Sequence, residues 1–280
     1  MGVLKIGTCS WNYPSWVGLV YSKKCSRSSG YLKEYSEKYR TVEIDSWFYK
    51  LPAEKEVSEY LNAVDKDFVF SCKVSNRITL THLREYKKSF KTLYTNADFL
   101  SPDIFKTYIN SIQPMIPRIG LIMLEFEYLS RDKMSSLSQF ISCLDEFLGT
   151  TDPSLPLAIE TRNKNYLQKE YFEFLKERNI GHVFSEKLYM PHIYDVYERF
   201  GDLLTQQSTI RLLGGDRKAI EEKTAGRWDT IVEEKKDLNL IAAMIKDLTR
   251  SGKTVHVYVN NHYEGSAPLT INKIMQITEK

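Results

Sequence analysis

Eight short apolar runs recur along the whole chain, and the intervals between them are long enough for crossover helices. They lie at 3–8, 41–45, 68–73, 119–125, 157–160, 181–185, 209–213 and 254–259. Most are rich in β-branched or aromatic residues and bounded by turn residues, which is the pattern of strands. Helical patterns fill the gaps at 29–39, 53–64, 132–148, 168–178, 193–200 and 229–250. Pro52 sits at the expected first-turn position of the second helix. Ser101, Pro102 and Asp103 start another, with Ser as cap, Pro next and an acid facing the positive end of the dipole. Strands separated by helices pair in parallel. Eight regular β/α units point to an α/β fold, a TIM-type (β/α)8 barrel with extended βα loops. An open doubly wound sheet shares the same alternation.

The 280 residues fit such a barrel as a single domain spanning 1–280, since α/β barrels run to about 250 residues undivided. No low-complexity linker or internal repeat divides the chain. Three segments after strands, 9–28, 74–83 and 214–227, are too long for simple turns. In a barrel all three rise from the carboxyl face, where barrel enzymes build their sites.

Polar residues gather at that same end. Glu43 and Asp45 end the second run, Lys73 the third and Glu125 the fourth. Glu160 and Arg162 end the fifth, Arg211 lies in the seventh, and Asn260, Asn261 and His262 follow the eighth. Residues two apart share a face of a strand, so these charges point together into the lumen. Charges there must be paired, which predicts one mixed network. A purely structural version would pair Glu43 with Lys73 and Glu160 with Arg211. Trp11, Tyr13, Trp16 and Tyr21 in the first long loop, with Trp47, Phe48 and Tyr49 after the second run, offer flat faces for a sugar or base. Packing under the loops is the commoner use of such rings.

Bulk properties exclude several classes. Net charge is +3, from 39 Lys+Arg against 36 Asp+Glu, too balanced for a concentrated phosphate-binding field. The four cysteines form no C-x-x-C pair, which fits reduced thiols and a cytoplasmic location. No apolar stretch nears the ~20 residues needed to cross a bilayer, so no membrane partner is expected. The five histidines show no paired metal-binding spacing, and no metal site is assigned. A carboxylate site for Mg²⁺ or Mn²⁺ built from Glu43, Glu125 and Glu160 would be opposed by Lys73, Arg162 and Arg211. Gly214-Gly215 lies where many barrels bind phosphate, although a glycine pair is also a plain turn.

Several motifs carry a resemblance. They are GTCSWNYPSW at 7–16, TVEIDSWFYKLP at 41–52, FSCKV at 70–74 with Ile78-Thr79, AIETR at 158–162 and VYVNNHYEGSAP at 257–268. In this order they resemble the YecE-like family, domain of unknown function 72, nearly end to end. The resemblance implies a TIM-type barrel and no activity. It also implies importance for Glu43, Lys73, Glu160, Arg162, Arg211, Asn260, Asn261 and His262. The family pattern has Asn, Gln and His where this chain has Asp45, Glu125 and Leu213. The site is thereby more anionic and lacks one proton carrier.

The first functional expectation is an enzyme acting on a polar or anionic small molecule or nucleotide-like substrate. Glu43, Lys73 and Glu160 are the catalytic candidates. Arg162, Arg211, Asn260, Asn261, His262, Trp11 and Tyr13 are the substrate-binding candidates. No cofactor is implied. Two alternatives are a nucleic-acid-binding module, with Lys23, Lys24 and Arg27 supplying charge, and a metal-dependent hydrolase or isomerase.

Overall fold

The computed structural model describes residues 2–87 and 90–279, with side chains outside positions 84–93. In chain order the first elements are β1 (Val3–Thr8), α1 (Ser28–Lys38), β2 (Thr41–Ile44), α2 (Glu54–Ala63), β3 (Val69–Lys73) and α3 (Asn76–Thr79). A hairpin, β4 (His82–Lys87) and β5 (Phe90–Thr95), precedes α4 (Pro102–Ser111). There follow β6 (Ile119–Glu125), α5 (Leu137–Leu148), β7 (Leu157–Glu160), α6 (Lys169–Glu177), β8 (Gly181–Lys187) and α7 (Ile193–Phe200). The chain ends with β9 (Gln207–Gly214), α8 (Arg217–Thr224), α9 (Leu238–Arg250), β10 (Thr254–Val259) and α10 (Ala267–Thr278).

Eight of these strands form one parallel sheet in the order β1-β10-β9-β8-β7-β6-β3-β2. They correspond to the eight apolar runs. The two ends of the sheet meet at a different kind of seam. Cys9 and Glu43 form a single parallel bridge, and the Ser10 amide donates to the Glu43 carbonyl at 3.0 Å. Below that bridge the hydroxyl of Tyr35, on α1, takes the place of a ladder bond. It accepts from the Thr8 amide at 2.9 Å and donates to the Thr41 carbonyl at 3.0 Å. Gly7 allows the close approach, because a Cβ there would stand 2.1 Å from the Thr41 carbonyl oxygen.

Helices surround the strands and cover their outer faces with one large apolar core. A second, small cluster of Leu121, Met123, Ala158 and Val183 fills the lumen. Tyr258 crosses the same space, its hydroxyl reaching Thr41 Oγ1 at 2.9 Å and the Ser71 hydroxyl. The lumen is therefore packed, and two residues further along β6 and β7 its character turns from apolar to charged.

Several boundaries differ from the sequence pattern. The helix expected from 132 starts at Leu137, because Ser136 caps it by accepting from the Gln139 amide. The helix expected from 229 starts at Leu238. Pro52 stands before the Ala53 cap of α2 rather than in its first turn. The segment 214–227 contains α8, started by Asp216, whose side chain accepts from Lys218 and Ala219 amides. The segment 74–83 contains α3 and leads into the β4–β5 hairpin. Among the described residues no helix is long and apolar enough to cross a membrane.

The seam yields a stability test. Tyr35→Phe leaves the buried Thr8 amide and Thr41 carbonyl without their shared partner. The loss should be about 1–3 kcal/mol, read as a lower urea midpoint at unchanged slope.

Candidate active site at the carboxyl ends of the strands

The charged layer begins where the apolar lumen ends. Met123 is followed two residues on by Glu125, Ala158 by Glu160 and Val183 by Ser185. Period-two alternation thus aims these side chains inward, together with Arg211 on β9, Glu43 on β2 and Lys73 on β3. Arg211 is the centre of the layer and is 2% exposed. Its Nε and Nη2 donate to the two oxygens of Glu43 at 2.8 and 2.7 Å. Its Nη1 donates to Glu125 at 3.1 Å and also to Glu160.

Around it lies a second ring of pairs. Lys73 contacts Glu125 at 2.9 Å and also Asp45. Arg162 donates from Nη2 to Glu125 at 2.7 Å, and its Nε lies 2.8 Å from Glu160 Oε1 but off the hydrogen-bond line. Glu125 therefore touches Lys73, Arg162 and Arg211 at once. Lys73 also lies over the Phe48 ring at 5.1 Å.

The electrostatics follow from this geometry. Burial opposes the charge of Glu125, but Lys73, Arg162 and Arg211 outweigh it and hold the carboxyl well below its ordinary range. Burial also pushes Glu43 up, and Arg211 pulls it only part of the way back. Lys73 is desolvated and faces Arg211, yet Glu125, Glu43 and Asp45 hold its ammonium form firmly.

A cavity of 340 Å³ opens above this floor. Asp45, Lys73, Glu125, Arg162 and Arg211 form its base, and Tyr13, Tyr49, Lys187, Arg217, Asn260 and His262 stand around it. A second cavity of 550 Å³ adjoins it, sharing Glu125, Arg162, Lys187, Leu188 and Tyr189. Its other walls are largely apolar, with Phe48, Leu80, Tyr128 and Met190.

The sequence-derived candidates separate into three groups. Lys73, Arg162, Arg211, Asn260, His262 and Tyr13 line the polar cavity. Glu43 and Glu160 are fully buried beneath it, where they hold Arg211. Trp11 and Asn261 are buried away from the cavity. The Trp11 indole donates to the Ser28 carbonyl at 2.9 Å and meets Tyr60 edge-on at 5.0 Å, so this ring packs the barrel rim. The Asn261 carbonyl oxygen accepts from the Ala267 amide at 2.9 Å, at the start of α10. Asn260 fixes His262, accepting from its amide at 3.0 Å. Burial lowers the pKa of His262, with Glu221 pulling the other way. The expected pair of Glu160 with Arg211 is present. Glu43 also pairs with Arg211, and Lys73 pairs with Asp45 and Glu125 instead of Glu43.

Lys187, Leu188, Tyr189 and Arg217 line the cavity without having been expected from the sequence, and Lys187 is the one a strand pattern could have found. The sixth run was ended at Ser185, whereas β8 continues two residues further. Continuing the alternation Val183, Ser185, Lys187 would have found it.

The residues do not build a divalent-metal cage from Glu43, Glu125 and Glu160, because the Arg211 guanidinium occupies the point on which they converge. Elsewhere, Glu186, His192 and Asp237 bring one donor atom each within 4.8 Å. Glu186 accepts from the Ile193 amide at 3.0 Å and from His192 Nδ1 at 2.9 Å. Its hydrogen bond raises the pKa of His192. An ion-paired helix cap accounts for all three side chains. Gly214 has a positive φ of 83°, and a Cβ there would stand 2.2 Å from the His262 carbonyl oxygen. Close backbone approach explains that glycine, and the α8 amides behind it are already taken by Asp216.

Parallel strands alternating with helices, with a charged cavity at the strand carboxyl ends, define a TIM-type barrel of the kind that houses sites on this face. The chain belongs to the DUF72 family, described as "Protein of unknown function DUF72", whose model matches residues 5–280. A DUF72 family protein of Enterococcus faecalis superposes with a TM-score of 0.72 at 18% identity, covering 99% of this chain and 96% of that one. A DUF72 family protein of Thermotoga maritima superposes with a TM-score of 0.70 at 19% identity, covering 99% and 100%. These likenesses bear on the fold. No curated protein matches the chain.

The network gives a second test. Arg211→Met leaves Glu43 and Glu160 buried without their main partner and should cost about 3–5 kcal/mol. Without Arg211, burial of Glu43 is opposed only by Lys73, with Asp45 acting alongside burial, so its pKa in the fold rises further above the unfolded value. Such a group stabilises the fold as pH falls through that raised pKa. The difference from wild type in urea denaturation should therefore be smaller at pH 5.5 than at pH 8.

Proposed function

We propose that the protein is an enzyme acting on a polar small molecule, and that the charged floor stabilises negative charge developing on a substrate oxygen. The observation that supports this reading is the floor itself. Four carboxylates and three cations share one layer at the cavity base. Such a layer is a poor way to gain stability, because well-packed apolar residues of similar volume serve a barrel lumen as well or better. As a site it has clear value: fixed dipoles and charges need no reorganisation when charge develops above them.

The roles follow from who is already occupied. Arg211 spends its donors on Glu43, Glu125 and Glu160 and acts as the keystone. Lys73 and Arg162 line the cavity and retain N–H groups without a partner among the described residues. Those donors suit a carbonyl, carboxylate or enolate oxygen. Glu125, gripped by both, keeps their spacing. Glu43 and Glu160 then serve as positioning residues, acting on substrate through Arg211. Asn260 and His262 contribute neutral polar contacts at the rim.

A thermal-shift screen of carboxylates, keto acids, sugar phosphates and nucleotides should find a stabilising ligand. Lys73→Met and Arg162→Met should each abolish that shift. On a substrate found this way, each should reduce kcat/KM by about 10²–10³, the range for removing one charge-stabilising donor. Unchanged kcat/KM in both variants would overturn the assignment.

A further inference from the structure

We propose that Lys187 is a nucleophilic amine that forms an imine with the carbonyl group of a substrate bearing one apolar or aromatic arm. This deepens the preceding reading and rests on the cavity being an enzyme's site.

Lys187 differs from the cations of the cavity base. Lys73, Arg162 and Arg211 each contact at least two carboxylates. Lys187 ends β8, is half-buried, and makes no hydrogen bond or ion pair among the described residues. Its position is set by backbone geometry. The β8–β9 register shifts between Glu186 and Lys187, so Lys187 pairs with Gly214 while Glu186 pairs with Leu212. The extra residue of this irregularity, Leu213, lies on β9, so the alternation of β8 runs unbroken from Val183 through Ser185 to Lys187 and aims it inward.

Its surroundings match those that make a lysine reactive. An amine becomes a nucleophile when it is desolvated and placed beside another cation. Burial, then Arg162, lowers the pKa of Lys187 to about 8. Glu160 and Glu125 pull it the other way, and Arg211 adds to the lowering. At pH 7 the neutral fraction is then on the order of 10² larger than for an ordinary lysine.

The two cavities define the partner. Lys187 lies at their junction. On one side stand the spare donors of Lys73 and Arg162, suited to the oxygen of the carbonyl under attack. On the other, Phe48, Leu80, Tyr128 and Met190 wall a space that fits an apolar or aromatic arm. In the reaction the amine nitrogen bonds to the carbonyl carbon. The oxygen takes up the proton that the nitrogen sheds, giving a carbinolamine. The hydroxyl then leaves with the remaining amine hydrogen as water, giving the imine. One amine and one carbonyl become one imine and one water, with no change of oxidation state.

Reductive trapping tests this directly. The full-length protein is incubated at pH 7 with benzaldehyde or with acetaldehyde and sodium cyanoborohydride, and each lysine's adduct is quantified by peptide mass spectrometry. Benzaldehyde should modify Lys187 at least about tenfold more than exposed lysines such as Lys169 and Lys218, in line with its larger amine fraction. The preference should be smaller with acetaldehyde, and labelling should rise steeply as pH approaches 8. Lys187→Arg should lose this adduct while keeping its circular dichroism spectrum. Adducts spread over the exposed lysines, with no excess at Lys187, would overturn the imine. Equal preference with both aldehydes would overturn the apolar arm. A polar ligand that still stabilises Lys187→Arg, with no trapping in wild type, would sink the imine alone and leave the charged floor's role intact.

Discussion

The bidentate grip of Arg211 on Glu43 is the interaction on which the upper half of the barrel depends. It joins β9 to β2 across the lumen, and the same guanidinium reaches β6 and β7 through Glu125 and Glu160. One side chain thus ties four strands at the level where the apolar packing stops. A guanidinium is suited to this because its donors lie in a rigid plane and fit carboxylates in pairs. Lys73 and Arg162 complete the layer by neutralising what Arg211 leaves over. The result is a floor whose charges are numerous and almost wholly committed to one another.

That commitment shapes the chemistry. An acid or base must change protonation to act, and the most tightly paired groups here resist doing so. Glu125 is held ionised and Lys73 is held charged. Their value lies in a fixed field and a fixed spacing rather than in proton exchange. Groups able to change state stand at the edges of the cavity, where pairing is incomplete. The functional division therefore runs between a rigid base and a more responsive rim.

Much of this was legible in the sequence. The eight strands and the inward direction of the charges follow from period-two alternation and from the length of the intervening segments. The identity of the ion pairs was not legible, because pairing across a lumen depends on stagger between strands, and Lys73 meets Glu125 and Asp45 rather than Glu43. Trp11 and Asn261 lie in motifs dense with polar and aromatic residues, but such residues also cap helices and fill rims. Local pattern cannot separate those uses, and the Trp11 indole and the Asn261 side-chain oxygen are taken by backbone partners. Lys187 escaped notice because the apolar signal of β8 ends before the strand does. The β4–β5 hairpin carries charged residues in place of apolar alternation, and the start of α8 is set by a side-chain cap that composition alone does not reveal.

The Tyr35 hydroxyl has a consequence for how the barrel moves. Around the rest of the circumference neighbouring strands are laced by backbone ladders, whose strength is independent of any one side chain. At the β1–β2 meridian the lacing below the Cys9–Glu43 bridge passes through a phenol carried by α1. The cylinder can therefore unfasten along that line whenever α1 lifts away. The same line runs up to Glu43, so the undocking of an outer helix is mechanically coupled to the carboxylate that anchors the charged floor. The seam of the barrel and the anchor of its floor thus share one line, from Tyr35 on α1 up to Glu43.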